Sequence, residues 1–176
     1  MPRYIRAAIP GAAYFFTVTL ADRSSDLLVR EIGRLRRAYA GVQRRLPFET
    51  VAVCVLPDHL HAIWRLPEGD SAFAMRWQQI KRAFSVGVET GSALSPSQSS
   101  KRERGIWQRR YWEHLVRDDD DLARHVDYIH FNPVKHGHVA RVQDWPYSSF
   151  HRWVADGRLP AAWGLVESPG EGRFGE

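Results

Sequence analysis

Two runs rich in β-branched and aromatic residues flank the dipeptide Pro57-Asp58: FETVAVCVL over 48–56 and HLHAIWRL over 59–66. Proline and aspartate both favour turns, so this spacing predicts two strands folded back on each other as an antiparallel hairpin. A hairpin near the middle of the chain is restrictive, because the flanking segments must either extend its sheet or cover a face of it. YFFTVTL (14–20) predicts a further strand before it and QRRYWEHLV (108–116) a fourth after it.

Helical periodicity fills the gaps. Ser24 or Ser25 is placed to cap a helix whose apolar positions are Leu28, Ile32, Leu35 and Tyr39, with Arg30, Arg34, Arg36 and Arg37 on its other face. Phe73, Trp77, Ile80, Phe84 and Val88 mark a second helix over 70–88, with Gln78, Lys81 and Arg82 on its wet side. ETGSALSPSQSS (89–100) loses all periodicity and is expected to be a flexible loop within the domain. The aspartates at 118–121 suit the positive end of a helix dipole. Leu122, Val126 and Ile129 continue that third helix until Asn132-Pro133 is expected to end or kink it. The order predicts an α+β fold: a ferredoxin-like (RRM-like) antiparallel sheet with helices packed on one face, then a C-terminal helix and an irregular tail. At 176 residues the chain suits one domain, assigned to 1–155, and 156–176 is expected to be a mobile tail.

Cys54 is the only cysteine, so thiolate metal sites and internal disulfides are excluded and any metal must be held by His, Asp, Glu, Asn or Gln. A cytoplasmic location follows as the expectation. The apolar N-terminal run is broken by Pro10 and Gly11 and is too short to span a bilayer, so no membrane partner is expected. The net charge of +5 is concentrated in arginine clusters such as RLRRAYAGVQRR and KRERGIWQRR, which suit a polyanion.

The histidines in HLHAIWRL lie two apart in a strand, so His59 and His61 share a face while Leu60 and Ala62 take the other. Two imidazoles side by side can share a metal ion, and two satisfied histidines at a strand end are the plain alternative. On the late helix, Asp121, His125, Tyr128 and Asn132 form one stripe beside the apolar one. Packed against the histidine face, that stripe would bring an amide oxygen and a phenol to the imidazoles. Such a donor set leaves positions open to polarise a phosphodiester, and a phenol activated by a cation or base could attack phosphorus.

LPDHLHAIW, GIWQRRYWEHLVRDDDDLARHVDYIHFNPVKHGHVA and DWPYSSFHRW together resemble the REP-associated tyrosine transposases, which are single-tyrosine HUH transposases, over about 14–153. The resemblance implies cleavage and joining of single-stranded DNA with Mg²⁺ or Mn²⁺, a covalent 5′-phosphotyrosine, and recognition of hairpins formed by REP-like palindromes. It places the metal on His59 and His61 with Asn132 as third ligand, and the nucleophile on Tyr128. Asp58 stands where the family often has asparagine, and no consequence for ligation is expected. The base that would activate Tyr128 is left open among His125, Asp127 and His130, and the chain is expected to act as a monomer or a homodimer.

Arg82, Arg104, Trp107, Arg109, Arg110 and Lys135 are the candidate DNA contacts, since arginines hold phosphates and aromatics stack on unpaired bases. Of Trp107, Tyr111 and Trp112, at least one is expected to face the core. Lys135, His136 and His138 follow Asn132 closely enough to reach a phosphate, or the metal in place of Asn132; the plain alternative is that they are ordinary loop residues. The alternative function is a non-catalytic single-stranded nucleic-acid-binding module on a ferredoxin-like sheet.

Overall fold

The computed structural model describes residues 9–89 and 105–165. Four strands, β1 (Ala13–Thr19), β2 (Glu49–Val55), β3 (His59–Arg65) and β4 (Trp112–Leu115), form one sheet in the order β2-β3-β1-β4. Every neighbouring pair is antiparallel. Helices α1 (Leu27–Arg30) and α2 (Ile32–Arg45) link β1 to β2, and α3 (Phe73–Ser85) lies between β3 and β4. This is the split βαβ arrangement of ferredoxin-like folds. After β4 come α4 (Asp119–Lys135), a 3₁₀ turn at Val142–Asp144 and α5 (Phe150–Ala155). No helix among the described residues is long and apolar enough to cross a membrane.

Alternation along the strands divides the core in two. Tyr14, Phe16 and Val18 of β1 and Leu60, Ala62 and Trp64 of β3 point towards α2 and α3, where Trp64 stacks on Trp77 at 4.1 Å. Phe15 and Ile63 point the other way, with Ala52 and Cys54, and α4 covers them with Val126, Tyr128 and Ile129. The two sheet-linking helices thus share one face, and the late helix has the other.

Local departures from the expected pattern have identifiable causes. The first helix is interrupted at Glu31, with φ −104° and ψ 28°. Its opening turn is drawn onto the hairpin, where Leu28 N–H donates to the Pro57 carbonyl at 3.1 Å. Ser25 accepts from Leu27 N–H at 3.2 Å, whereas Ser24 bonds Asp22 instead. The fourth strand is shorter than predicted, Trp112–Leu115, and Trp107 and Tyr111 before it pack on the α3 side of the core. Pro133 does not end α4, which continues to Lys135. A proline this close to the C-terminus removes a single intrahelical bond, a loss the packed helix tolerates.

The predicted loop from residue 90 and the tail from residue 166 lie outside the described residues, as does Arg104. Within 156–165, Trp163 lies 6.1 Å from Phe150 and 6.3 Å from His130, ring to ring.

Candidate active site

β3 presents His59 and His61 on the α4 side of the sheet, with ring centres 4.9 Å apart. Both are buried. Thr17, directly opposite His61 on β1, bonds His61 Nδ1 through its hydroxyl at 2.9 Å. Asp58 bonds His59 Nδ1 at 2.7 Å and is itself tied to Arg23 Nε at 2.6 Å. Each imidazole therefore has one nitrogen oriented by a protein oxygen, the arrangement that metal-binding histidines use to set tautomer and ring direction. Asp58 thus orients the His59 ring through Nδ1. The turn residue before the strand is the one within reach of Nδ1.

Tyr128 meets this pair edge-on, its ring 5.2 Å from that of His61. His136, just past the end of α4, lies 5.3 Å from the ring of His59. Asn132, fully buried, stands on α4 between the residue that meets His61 and the one that meets His59. Lys135 places its ammonium 4.8 Å from the centre of the Tyr128 ring. Of the stripe predicted on the late helix, Tyr128 meets the paired imidazoles, whereas His125 lies on the far side of Phe15.

Electrostatics suit a cation. Burial, aided by the neighbouring His61, pulls His59 down to about 4 despite the opposing pull of Asp58. Burial, with His136 and Lys135 nearby, takes His61 to about 3. Both are neutral at pH 7, the form that ligates metals. His59 Nε2 is buried and makes no hydrogen bond among the described residues. A buried lone pair left in that condition is costly unless an ion takes it, so the residues fit a divalent metal.

Other predicted residues fall into two groups. Arg82, Arg109, Arg110 and Lys135 are exposed. Trp107 packs on Phe84 and donates to Ser85 at 3.2 Å, with Lys81 over its ring, and Tyr111 packs on Phe16 and Trp77. Trp112 is the aromatic left in solvent, 47% exposed. It pairs with Thr17, which also pairs with His61, so Trp112 lies on the imidazole face one strand beyond β1. Alternation within QRRYWEHLV carried that signal.

Of the candidate bases, His130 lies away from the pair, bonded to Ser149 at 2.9 Å and packed on Phe150 and Trp153. His138 stacks on Trp145. His125 stacks on His114 and, with Asp121, forms a cluster whose donor atoms lie within 4.8 Å of one another, a grouping that could hold a metal ion. The sequence reading did not find it, because His114 joins it only through the pairing of β4 with β1.

No protein-family model matches the sequence. The chain is 46% identical to the REP-associated tyrosine transposase of Escherichia coli K12, over 93% of this chain and 91% of that one. It is 48% identical to a Haemophilus influenzae protein provisionally given the same name, over 93% and 94%. A solved REP-associated tyrosine transposase bound to a REP hairpin superposes with a TM-score of 0.81 at 44% identity, covering 98% of each chain. Likeness of this extent, joined to a tyrosine set against a His-x-His pair, has one consequence: the chain belongs to the REP-associated tyrosine transposases.

Proposed function

We propose that the chain cuts and rejoins single-stranded DNA beside a REP-like hairpin, with Tyr128 as nucleophile and a divalent ion, Mg²⁺ or Mn²⁺, on His59, His61 and Asn132. The observation that carries this reading is the Tyr128 ring 5.2 Å from His61, on the same sheet face as both imidazoles. In the step, the Tyr128 oxygen bonds to phosphorus and the P–O3′ bond breaks. The departing 3′ oxygen gains the equivalent of the proton that the phenol gives up. The 5′-phosphotyrosine keeps the energy of the broken linkage, so a 3′-hydroxyl can reverse the reaction or join a new end.

The chain's own groups support the step. Lys135 places a positive charge beside the Tyr128 ring, suited to a phosphate oxygen held there for attack. The bound ion would supply charge neutralisation on the non-bridging oxygens. Asp58 and Thr17 hold the two imidazoles in position before DNA arrives. Exposed Arg82, Arg109 and Arg110 are suited to phosphates, and Trp112 to stacking on an unpaired base at about 1 to 3 kcal/mol. A hairpin as ligand is supported by the solved relative that binds one.

The test is cleavage of a labelled hairpin oligonucleotide with a single-stranded flank, in Mn²⁺, by wild type and Tyr128→Phe. Wild type should give a denaturation-resistant protein–DNA adduct that chelator prevents, and the variant should bind without forming it. Equal cutting by the variant overturns the nucleophile. Binding by both with no cutting of any hairpin favours the silent nucleic-acid-binding module.

A further inference from the structure

β4 and α4 meet at a second set of donors, set apart from the imidazole pair by Phe15. That ring lies 4.8 Å from His125 on one side and 5.6 Å from His61 on the other. His114 comes from the edge strand, opposite Phe15, and Asp121 and His125 from the first two turns of α4. His114 Nε2 is 2.8 Å from Asp121 Oδ2, and His125 Nδ1 is 3.2 Å from Asp121 Oδ1. The imidazoles lie nearly parallel, 4.6 Å apart at 17°. Asp121 and His125 are buried while the His114 side chain is 21% exposed, which leaves an entry path from the β4 edge.

We propose that His114, Asp121 and His125 bind a divalent ion of their own, of the zinc type, which pins the edge strand to the start of α4. Two imidazoles and one carboxylate are a donor set that zinc and cobalt accept with a water in the fourth position. An ion with bonds of about 2.0 to 2.2 Å needs its donors roughly 3.4 Å apart. The donors here are all within 4.8 Å of one another, a gap of the size that side-chain rotation can take up. His125 Nδ1 donates to the Asp121 carbonyl oxygen at 2.7 Å, the kind of backbone bond that orients a ligating imidazole and leaves its Nε2 for the ion.

A cap made only of a His114–Asp121 hydrogen bond does not require the second, stacked imidazole. Arg124 opposes a cation, 3.3 Å from Asp121 Oδ1, but its side chain is 63% exposed and can turn into solvent at little cost. The consequence is mechanical. Tyr128 lies about two turns along the same helix from Asp121, so an ion at this end sets the tyrosine's height over the sheet.

The test needs no DNA, so it stands or falls apart from the proposed cleavage. Full-length His59→Ala/His61→Ala protein is stripped with chelator and titrated with Co²⁺ and then Zn²⁺. Metal content and visible absorption are read. One Co²⁺ per chain with tetrahedral absorption, displaced by Zn²⁺ and not by millimolar Mg²⁺, is expected, and adding His114→Gln should remove it. In the otherwise wild-type protein, His114→Gln should lower the Zn²⁺ count by one with the circular dichroism unchanged. Retention of no ion by the double variant, or of the same ion after His114→Gln, overturns the proposal.

Discussion

At the scale of single residues, the site depends on what holds the imidazoles as much as on the imidazoles themselves. Asp58 spans two partners, with one oxygen on His59 Nδ1 and the other on Arg23 Nε. Burial alone would raise its carboxyl, yet the His59 hydrogen bond and charge, with Arg23, bring it below the usual carboxylate range. It therefore stays an acceptor at neutral pH. Losing an orienting partner of this kind typically costs 10- to 100-fold in metal affinity. Asp58→Ala is accordingly expected to raise the Mn²⁺ concentration for half-maximal cleavage by about that factor, and Asp58→Asn, which keeps an acceptor oxygen, by clearly less. Identical metal titrations for wild type and Asp58→Ala would remove Asp58 from the site.

At the scale of elements, α4 carries the tyrosine stripe, and its start is built to be stable. Asp118 caps it by accepting from Asp121 N–H at 2.7 Å, and Asp119, Asp120 and Asp121 lie in the first turn, where the helix dipole favours anions. Removing the cap should cost about 1 kcal/mol. Asp118→Ala is thus expected to lower the midpoint of thermal unfolding by about 2 to 4 °C in a chain of this size. An unchanged midpoint means the cap contributes nothing. The other end tolerates Pro133 and keeps Asn132 helical, one turn beyond Tyr128. From sequence the Asn132-Pro133 pair is expected to end or kink the helix, because a residue before proline is biased away from helical dihedrals, but packing of α4 on β2 and β3 outweighs that local bias.

For the molecule as a whole, four imidazoles among the described residues are buried, His59, His61, His125 and His130, and burial lowers each of them. Burial brings His59 to about 4 and both His61 and His130 to about 3, from an ordinary value of 6.5. In the unfolded chain each gains a proton near pH 6.5, and in the folded one only near 4 or 3. The unfolded state therefore binds more protons across that window, and stability falls as the pH drops through it. The slope approaches about 1.4 kcal/mol per pH unit for each imidazole, and the effect is absent above about pH 7. Urea unfolding in chelator should show a midpoint that is level from pH 8 to 7 and declines steadily from 6.5 to 4.5. A midpoint unmoved at 4.5 would mean that these rings are hydrated in the folded state.

Much of this protein was determined by the sequence alone, because the deciding patterns are local. Alternation placed His59 and His61 on one face with Leu60 and Ala62 on the other, and the 3.6-residue period aligned Tyr128 with Asn132. Tertiary structure decided what required distant segments to meet. It buried Arg76, 1% exposed, against Asp70 and the carbonyls of Leu46 and Pro47, although its residue type reads as solvated. It packed Trp107 onto Phe84 next to an isolated bridge with Leu20, well before β4 begins. It also brought His114 to Asp121 and His125 across the sheet edge. Periodicity states which side of its own element a residue occupies; only strand pairing and helix docking determine what stands opposite.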